Sequence, residues 1–270
     1  MSLRVKPTLR DRLAAASRPL VGIWTCSGSA LAAEICAGSG MDWLLVDGEH
    51  SPIELHDLIG ILQAAEAYPI TPLVRVAAND IVRIKQVLDT GAQNILVPMV
   101  SSVAEAQAAA DAVHYPPRGG RGVGSALARS ARWNRVDGYL QNAAEHMSLI
   151  VQAETAEAVE HAAEIAAVDG IDGVFVGPSD LAASMGLLGQ QSHPDVVAAV
   201  HRVFEAVHAA GKPVGVNAFD PAVADSYIQA GADFVAVGAD VSLLARGSEA
   251  LAARFIPDGA DATSTSRASY

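Results

Sequence analysis

The sequence is poor in lysine, cysteine and uninterrupted apolar stretches, and each shortage removes a class of function. Its two cysteines, Cys26 and Cys36, make no disulfide framework, and no long apolar stretch follows the charged start. The expected setting is therefore a reducing cytoplasm rather than a secretory route. No apolar run approaches the ~20 residues of a membrane span, because Asp, Gly or Pro interrupts each one. Positive charge is scarce as well: 18 Lys and Arg face 30 Asp and Glu, a formal net charge of −12. That balance, with no polybasic run, opposes binding to nucleic acid or anionic membranes.

What the sequence does hold is apolar surface, at 51% hydrophobic residues over 270 positions, enough for one large core. Runs rich in Val, Ile and Leu recur eight times: Val21 to Thr25, Trp43 to Asp47, Pro72 to Val76, Asn94 to Met99, Leu149 to Ala153, Gly173 to Val176, Pro213 to Val216 and Phe234 to Val237. They are continuous rather than alternating, as strands covered on both faces should be. Ala-rich helical stretches separate them, among them Ile53 to Tyr68, Val103 to His114, Ala156 to Val168 and Val196 to Ala210.

The helix-to-strand junctions repeat too, at Gly40-Met41-Asp42, Gly91-Ala92-Gln93, Gly170-Ile171-Asp172 and Gly231-Ala232-Asp233. A glycine there ends a helix in the left-handed conformation without steric cost. The pattern predicts a single (β/α)8 TIM barrel over 1–256. Beyond it, the Ser/Thr-rich end at 257–270 reads as a disordered tail. A doubly wound open sheet is the rival, but no Gly-x-Gly-x-x-Gly follows the first strand.

Barrel active sites gather at the C-terminal ends of the strands. There the second run ends in Asp47-Gly48-Glu49-His50, the third carries Arg75, the fifth exits through Gln152-Ala153-Glu154 and the sixth through Gly177-Pro178-Ser179-Asp180. Imine chemistry needs a lysine presented to a substrate carbonyl. Of the three lysines, Lys6 is near the terminus, Lys85 falls within a helix and Lys212 precedes a strand at the opposite end.

Glu154 and Asp180 could instead offer two oxygen ligands to a hard divalent ion; equally, Glu154 could cap the next helix and Asp180 pair structurally. His50 is the one histidine directly following a strand, suited to general base work or to a plain surface role. Arg75, on a buried strand, is either paired with Asp47 or Glu49 or aimed at an anion. The Arg118-to-Gly124 segment lacks the Gly-Lys-Ser/Thr ending of a phosphate loop, so the stretch through Arg135 is read as a lid or a subunit contact.

Four motifs together resemble the HpcH/HpaI aldolase family: Val46-Asp47-Gly48-Glu49-His50-Ser51-Pro52, Asn94 to Val100, Tyr115 to Gly122, and Val176-Gly177-Pro178-Ser179-Asp180-Leu181. The resemblance runs from about Thr8 to Phe255 in order. It implies a barrel of the phosphoenolpyruvate/pyruvate type and a class II, metal-dependent aldolase using Mg²⁺, Mn²⁺ or Co²⁺. The implied reaction cleaves 4-hydroxy-2-oxo acids to pyruvate and an aldehyde, with the seven-carbon dicarboxylate that gives succinate semialdehyde as expected substrate. Sugar-acid cleavage, oxaloacetate decarboxylation and noncatalytic metal binding are the alternatives.

By the same resemblance His50 is the base, Arg75 the transition-state stabiliser, Glu154 and Asp180 the metal ligands, and Gln152 and Ser179 substrate contacts. Asp89 matches a carboxylate that supports the histidine. It sits at the far end of its own barrel, so it would have to reach His50 from a neighbouring subunit. Asp47 is the local alternative. The family is typically hexameric, which implies a homo-oligomer.

Overall fold

The eight apolar runs form eight strands, each within two residues of its expected bounds: β1 (Leu20–Thr25), β2 (Trp43–Asp47), β3 (Thr71–Arg75), β4 (Asn94–Val97), β5 (Ser148–Ala153), β6 (Gly173–Val176), β7 (Val214–Asn217) and β8 (Phe234–Ala239). This computed structural model describes residue 3 and residues 5–256, so the expected tail at 257–270 lies outside the described residues. All pairings are parallel and in sequence order, and β1 pairs with both β2 and β8, which closes the barrel.

The helices follow their local signals. Ser102 begins Val103–Val113 with a reciprocal cap: its hydroxyl accepts the Glu105 N–H at 3.2 Å, and the Glu105 carboxylate accepts the Ser102 N–H at 3.1 Å. All four junction glycines, Gly40, Gly91, Gly170 and Gly231, have φ between 92° and 105°. One expectation fails in part. The helix over Ala156 to Val168 is two helices, Ala156–Glu160 and Ala162–Ala166, because His161 sits at φ −106°, ψ 9°, outside helical geometry.

Alternate residues of each strand face the barrel interior. The outward set packs under the helices, whereas the inward set of Leu20, Trp43, Leu45, Leu73, Leu96, Ile150, Phe175 and Phe234 forms a separate cluster inside. Trp43 and Phe234 pack edge to face, with centroids 5.7 Å apart. They fit because their neighbours are glycines: a Cβ on Gly22 would collide with the Trp43 ring, and one on Gly215 would meet Phe234 at 2.5 Å.

The helix Leu9–Ala15 stops the N-terminal end, with Leu9 fully buried. Its N–H donates to Asn94 Oδ1 at 2.6 Å; that oxygen also accepts from Ser148 Oγ, and Asn94 Nδ2 donates to the Pro72 carbonyl. Among the described residues no helix is long and apolar enough to cross a membrane.

Candidate active site

The same alternation carries the interior into its polar C-terminal layer: Trp24 on β1, Asp47 on β2, Arg75 on β3, Gln152 on β5 and Asn217 on β7. These residues line an open cleft of about 770 Å³ together with His50, Ser179, Asp180 and Phe219. Arg75 is its centre. Nε donates to Asp47 Oδ1 at 2.8 Å, Nη1 lies 2.8 Å from Glu49 Oε2, and the guanidinium stacks 4.5 Å from the Trp24 ring centroid. Nη2 has no partner among the described residues. The two readings of Arg75 therefore merge, since it is paired and still offers a donor.

Glu154 is buried just beyond β5. It does not cap the next helix, a role taken by Thr155. Its Oε1 accepts the Met99 N–H at 2.7 Å, and its Oε2 accepts from Gln152 Nε2 at 2.5 Å. Met99 holds a left-handed backbone, φ 55°, a strained state for a non-glycine residue at the point where its N–H meets that carboxylate. Gly177 leaves the room Glu154 needs: a Cβ there would lie 2.6 Å from Glu154 Oε2 and 2.8 Å from Gln152 Nε2. Asp180, in the first turn of Pro178–Ser184, is exposed and makes no hydrogen bond or ion pair among the described residues, so the structural-pair reading is not met.

Four carboxylates, Asp47, Glu49, Glu154 and Asp180, surround one guanidinium. Burial raises the Asp47 pKa, but the Arg75 hydrogen bond and charge and the backbone N–H groups of Glu49 and His50 outweigh it, so Asp47 stays below the usual carboxylate range. Glu154 goes the other way. Burial, reinforced by the charges of Asp180 and Glu49, pushes it to about 8 despite the Met99 hydrogen bond. Burial also raises Glu49, against the pull of Arg75. The negative charge is in excess, and Gln152 Oε1 is buried without a hydrogen-bond partner.

No three His, Cys, Asp or Glu side chains are grouped as a metal cage among the described residues. Glu154 and Asp180 still fit a hard divalent ion that draws its other ligands from water and substrate: oxygen donors, surplus negative charge and the space kept by Gly177.

His50 stands at the cleft mouth, its side chain 67% exposed and its Nε2 3.8 Å from Glu49 Oε1. Asp47 reaches the His50 backbone N–H at 3.4 Å, not its ring. Asp89 is not part of this cleft within the chain: it ends the helix Ile81–Asp89 and pairs with the buried Arg121 at 3.4 Å. The 118–135 segment is not a lid over its own cleft. It packs at the barrel's other end, where Arg129 donates to the Thr90 carbonyl and both Arg129 and Arg132 pair with Glu66. Trp24, Asn217 and Met99 escape the sequence reading. Inward phase on the strands would have found the first two; nothing in the sequence announces the Met99 backbone.

A sequence profile of the HpcH/HpaI aldolase/citrate lyase family matches residues 20–247, most of the chain and every strand of the barrel. The chain belongs to the HpcH/HpaI aldolase/citrate lyase family. Among its relatives, 4-hydroxy-2-oxo-heptane-1,7-dioate aldolase of Salmonella dublin is 51% identical over 251 residues, 93% of this chain and 95% of that one. The crystal structure of an HpcH/HpaI aldolase/citrate lyase family protein from Burkholderia cenocepacia superposes with a TM-score of 0.87 at 40% identity, covering 90% of this chain and 96% of the other. An HpcH/HpaI aldolase from Desulfitobacterium hafniense gives 0.82 at 27% identity, covering 92% and 98%.

Proposed function

We propose that the chain is a pyruvate-releasing aldolase that cleaves 4-hydroxy-2-oxo acids, with 4-hydroxy-2-oxoheptanedioate as the first substrate to test. The observation that carries this reading is the cleft itself: a paired guanidinium with one donor left over, an accessible imidazole, and two carboxylates that form no ion pair among the described residues, in a family of aldolases and citrate lyases. The relatives' names supply the substrate.

Glu154 and Asp180 would hold a divalent ion, Mg²⁺, Mn²⁺ or Co²⁺. When bound, the ion supplies Lewis-acid stabilisation of developing negative charge, worth about several kcal/mol. His50 removes the C4 hydroxyl proton. The C3–C4 bond then breaks, its electron pair passes to the C2 carbonyl, and an aldehyde leaves. Arg75, held rigid by Asp47, Glu49 and Trp24, turns its spare donor toward the charge growing at the C2 oxygen. A proton delivered to C3 completes pyruvate. The Gln152 amide and the Ser179 side of the cleft hold the 2-oxo acid in place.

Asp89 enters from a second copy. Its half-exposed carboxylate faces away from its own cleft, and the exposed Leu243, Leu244, Leu251 and Phe255 on the last helix, Asp240–Phe255, are surface that assembly would cover. We place this assembly, a homohexamer by family resemblance, in the cytoplasm.

Chelator-treated protein given 4-hydroxy-2-oxoheptanedioate tests the reading. Pyruvate and aldehyde should appear together and only once Mg²⁺, Mn²⁺ or Co²⁺ is restored. Release that ignores the chelator removes Glu154 and Asp180 from the mechanism, and pyruvate without aldehyde refutes an aldol cleavage.

A further inference from the structure

Residues 120–124 lie as a strap along the helix Ile81–Asp89, with one glycine against each turn of its Ile81, Lys85 and Asp89 stripe. A Cβ on Gly120 would lie 3.1 Å from Ile81, one on Gly122 3.4 Å from Lys85, and one on Gly124 3.8 Å from Asp89 Oδ2. Glycine keeps the strap close to the helix, and at position 124 it leaves Asp89 Oδ2 uncovered.

The strap does not need the Arg121 side chain to stay there. Its backbone is held by the Gly120 N–H on the Asp111 carbonyl at 2.8 Å and the Arg121 N–H on the His114 carbonyl at 2.9 Å. The Arg121 side chain is nevertheless only 1% exposed. Its Nη2 lies 3.4 Å from Asp89 Oδ1, and its guanidinium carbon sits 4.6 Å from the Tyr115 ring centroid. Nε, Nη1 and the Tyr115 hydroxyl are buried without hydrogen-bond partners. Burying a guanidinium with two donors unmet costs stability, and one contact at 3.4 Å recovers little of it.

What Arg121 does achieve is to hold one oxygen of Asp89 from inside while the other stays open. The Asp89 side chain is 31% exposed. The helix and the strap also carry exposed apolar side chains, Ile81, Val82, Val123 and Leu127, surface that a second copy would cover.

We infer that Arg121 is a positioning residue for the active site of the neighbouring subunit: from within its own barrel it fixes the carboxylate that Asp89 presents to His50 of the partner subunit. The inference rests on the proposal that Asp89 enters the cleft of a second copy. Released from Arg121, the carboxylate spreads over several rotamers, so the loss falls on turnover and not on substrate binding.

The experiment is complementation in mixed assemblies, made by equal co-expression, purified through two different tags, loaded with Mn²⁺ and given 4-hydroxy-2-oxoheptanedioate. Alone, Arg121→Met should lower kcat about tenfold with KM little changed, and Arg121→Lys, which keeps a cation beside Asp89, should lose less. Mixed with His50→Ala, about a quarter of the sites join an intact His50 to a partner carrying Arg121. Turnover should then rise roughly fivefold above the mean of the two parents. Mixed with Asp89→Asn, whose defect lies on the same side of the interface, Arg121→Met should gain nothing. Arg121→Lys enters the same mixtures, so a Met variant that does not assemble leaves the test intact. Unchanged kcat in both Arg121 variants, or equal gain with Asp89→Asn, overturns the inference. So does a mixture with His50→Ala no better than the mean, when Asp89→Asn and His50→Ala do complement and the shared site stands. If those two fail to complement each other, the shared site falls and the role of Arg121 with it.

Discussion

The two ends of this barrel are built from the same inward-facing strand positions and reach opposite solutions. At the N-terminal end Asn94 is saturated by Leu9, Ser148 and Pro72, and the space above it is filled by Trp43, Phe175 and Phe234. At the C-terminal end four carboxylates lie about one guanidinium, Glu154 is forced toward neutrality, and Trp24 Nε1 and Gln152 Oε1 are buried without hydrogen-bond partners. One end pairs both polar side-chain atoms of Asn94, the residue at its centre, and gains stability. The other leaves groups unsatisfied, at the end where the proposed chemistry would have a ligand complete them.

Changes at the two ends should therefore separate activity from stability. The largest expected effect is His50→Ala: an exposed side chain is removed, so unfolding should be unchanged while cleavage falls roughly 10² to 10⁴-fold. Normal cleavage by that variant would remove His50 from the mechanism. Asn94→Ala should do the reverse, costing about 1–3 kcal/mol in denaturant unfolding by stranding the Leu9 N–H, with kcat unchanged per folded molecule. A loss of kcat at full stability would break the division of labour.

Gly177→Ala lies between these cases. Its methyl would press on Glu154 and Gln152, at a cost of about 1–3 kcal/mol of overpacking in the metal-free protein, and divalent ions should bind more weakly. Unaltered ion binding by calorimetry would argue that Glu154 is not a ligand.

The smallest effect is a pH slope. In the metal-free fold Glu154 keeps its proton to about pH 8, whereas unfolded it loses it near 4.5, so between those values the folded state holds more protons. Stability of chelated protein should fall as pH rises through that window. Ion affinity should rise there, by about tenfold per pH unit, because binding expels the same proton. Glu154→Gln should flatten both slopes, and a slope that survives it belongs to another group.

Much of this division is legible in the sequence, for a physical reason. Strand length and glycine-ended helices are local properties, so the barrel and the ends of β2, β3, β5 and β6 can be read directly, and with them Asp47, His50, Arg75, Glu154 and Asp180. What depends on distant partners is not local. Nothing in Pro98-Met99-Val100 reveals that the Met99 N–H is bound to Glu154, 55 residues on, nor that the 118–135 segment folds under the barrel rather than over it. Asn217 lies between these cases, a polar residue ending an apolar strand in the inward phase.

The glycine neighbours of Trp43 and Phe234 bear on how such a barrel can change over generations. Residue 22 is bound to residue 43, and residue 215 to residue 234, as pairs that must be exchanged in order. The ring has to shrink before the glycine can grow, since the opposite sequence passes through a chain that cannot close. Lineages descending from this one should show a substituted Gly22 only where Trp43 has already been given up.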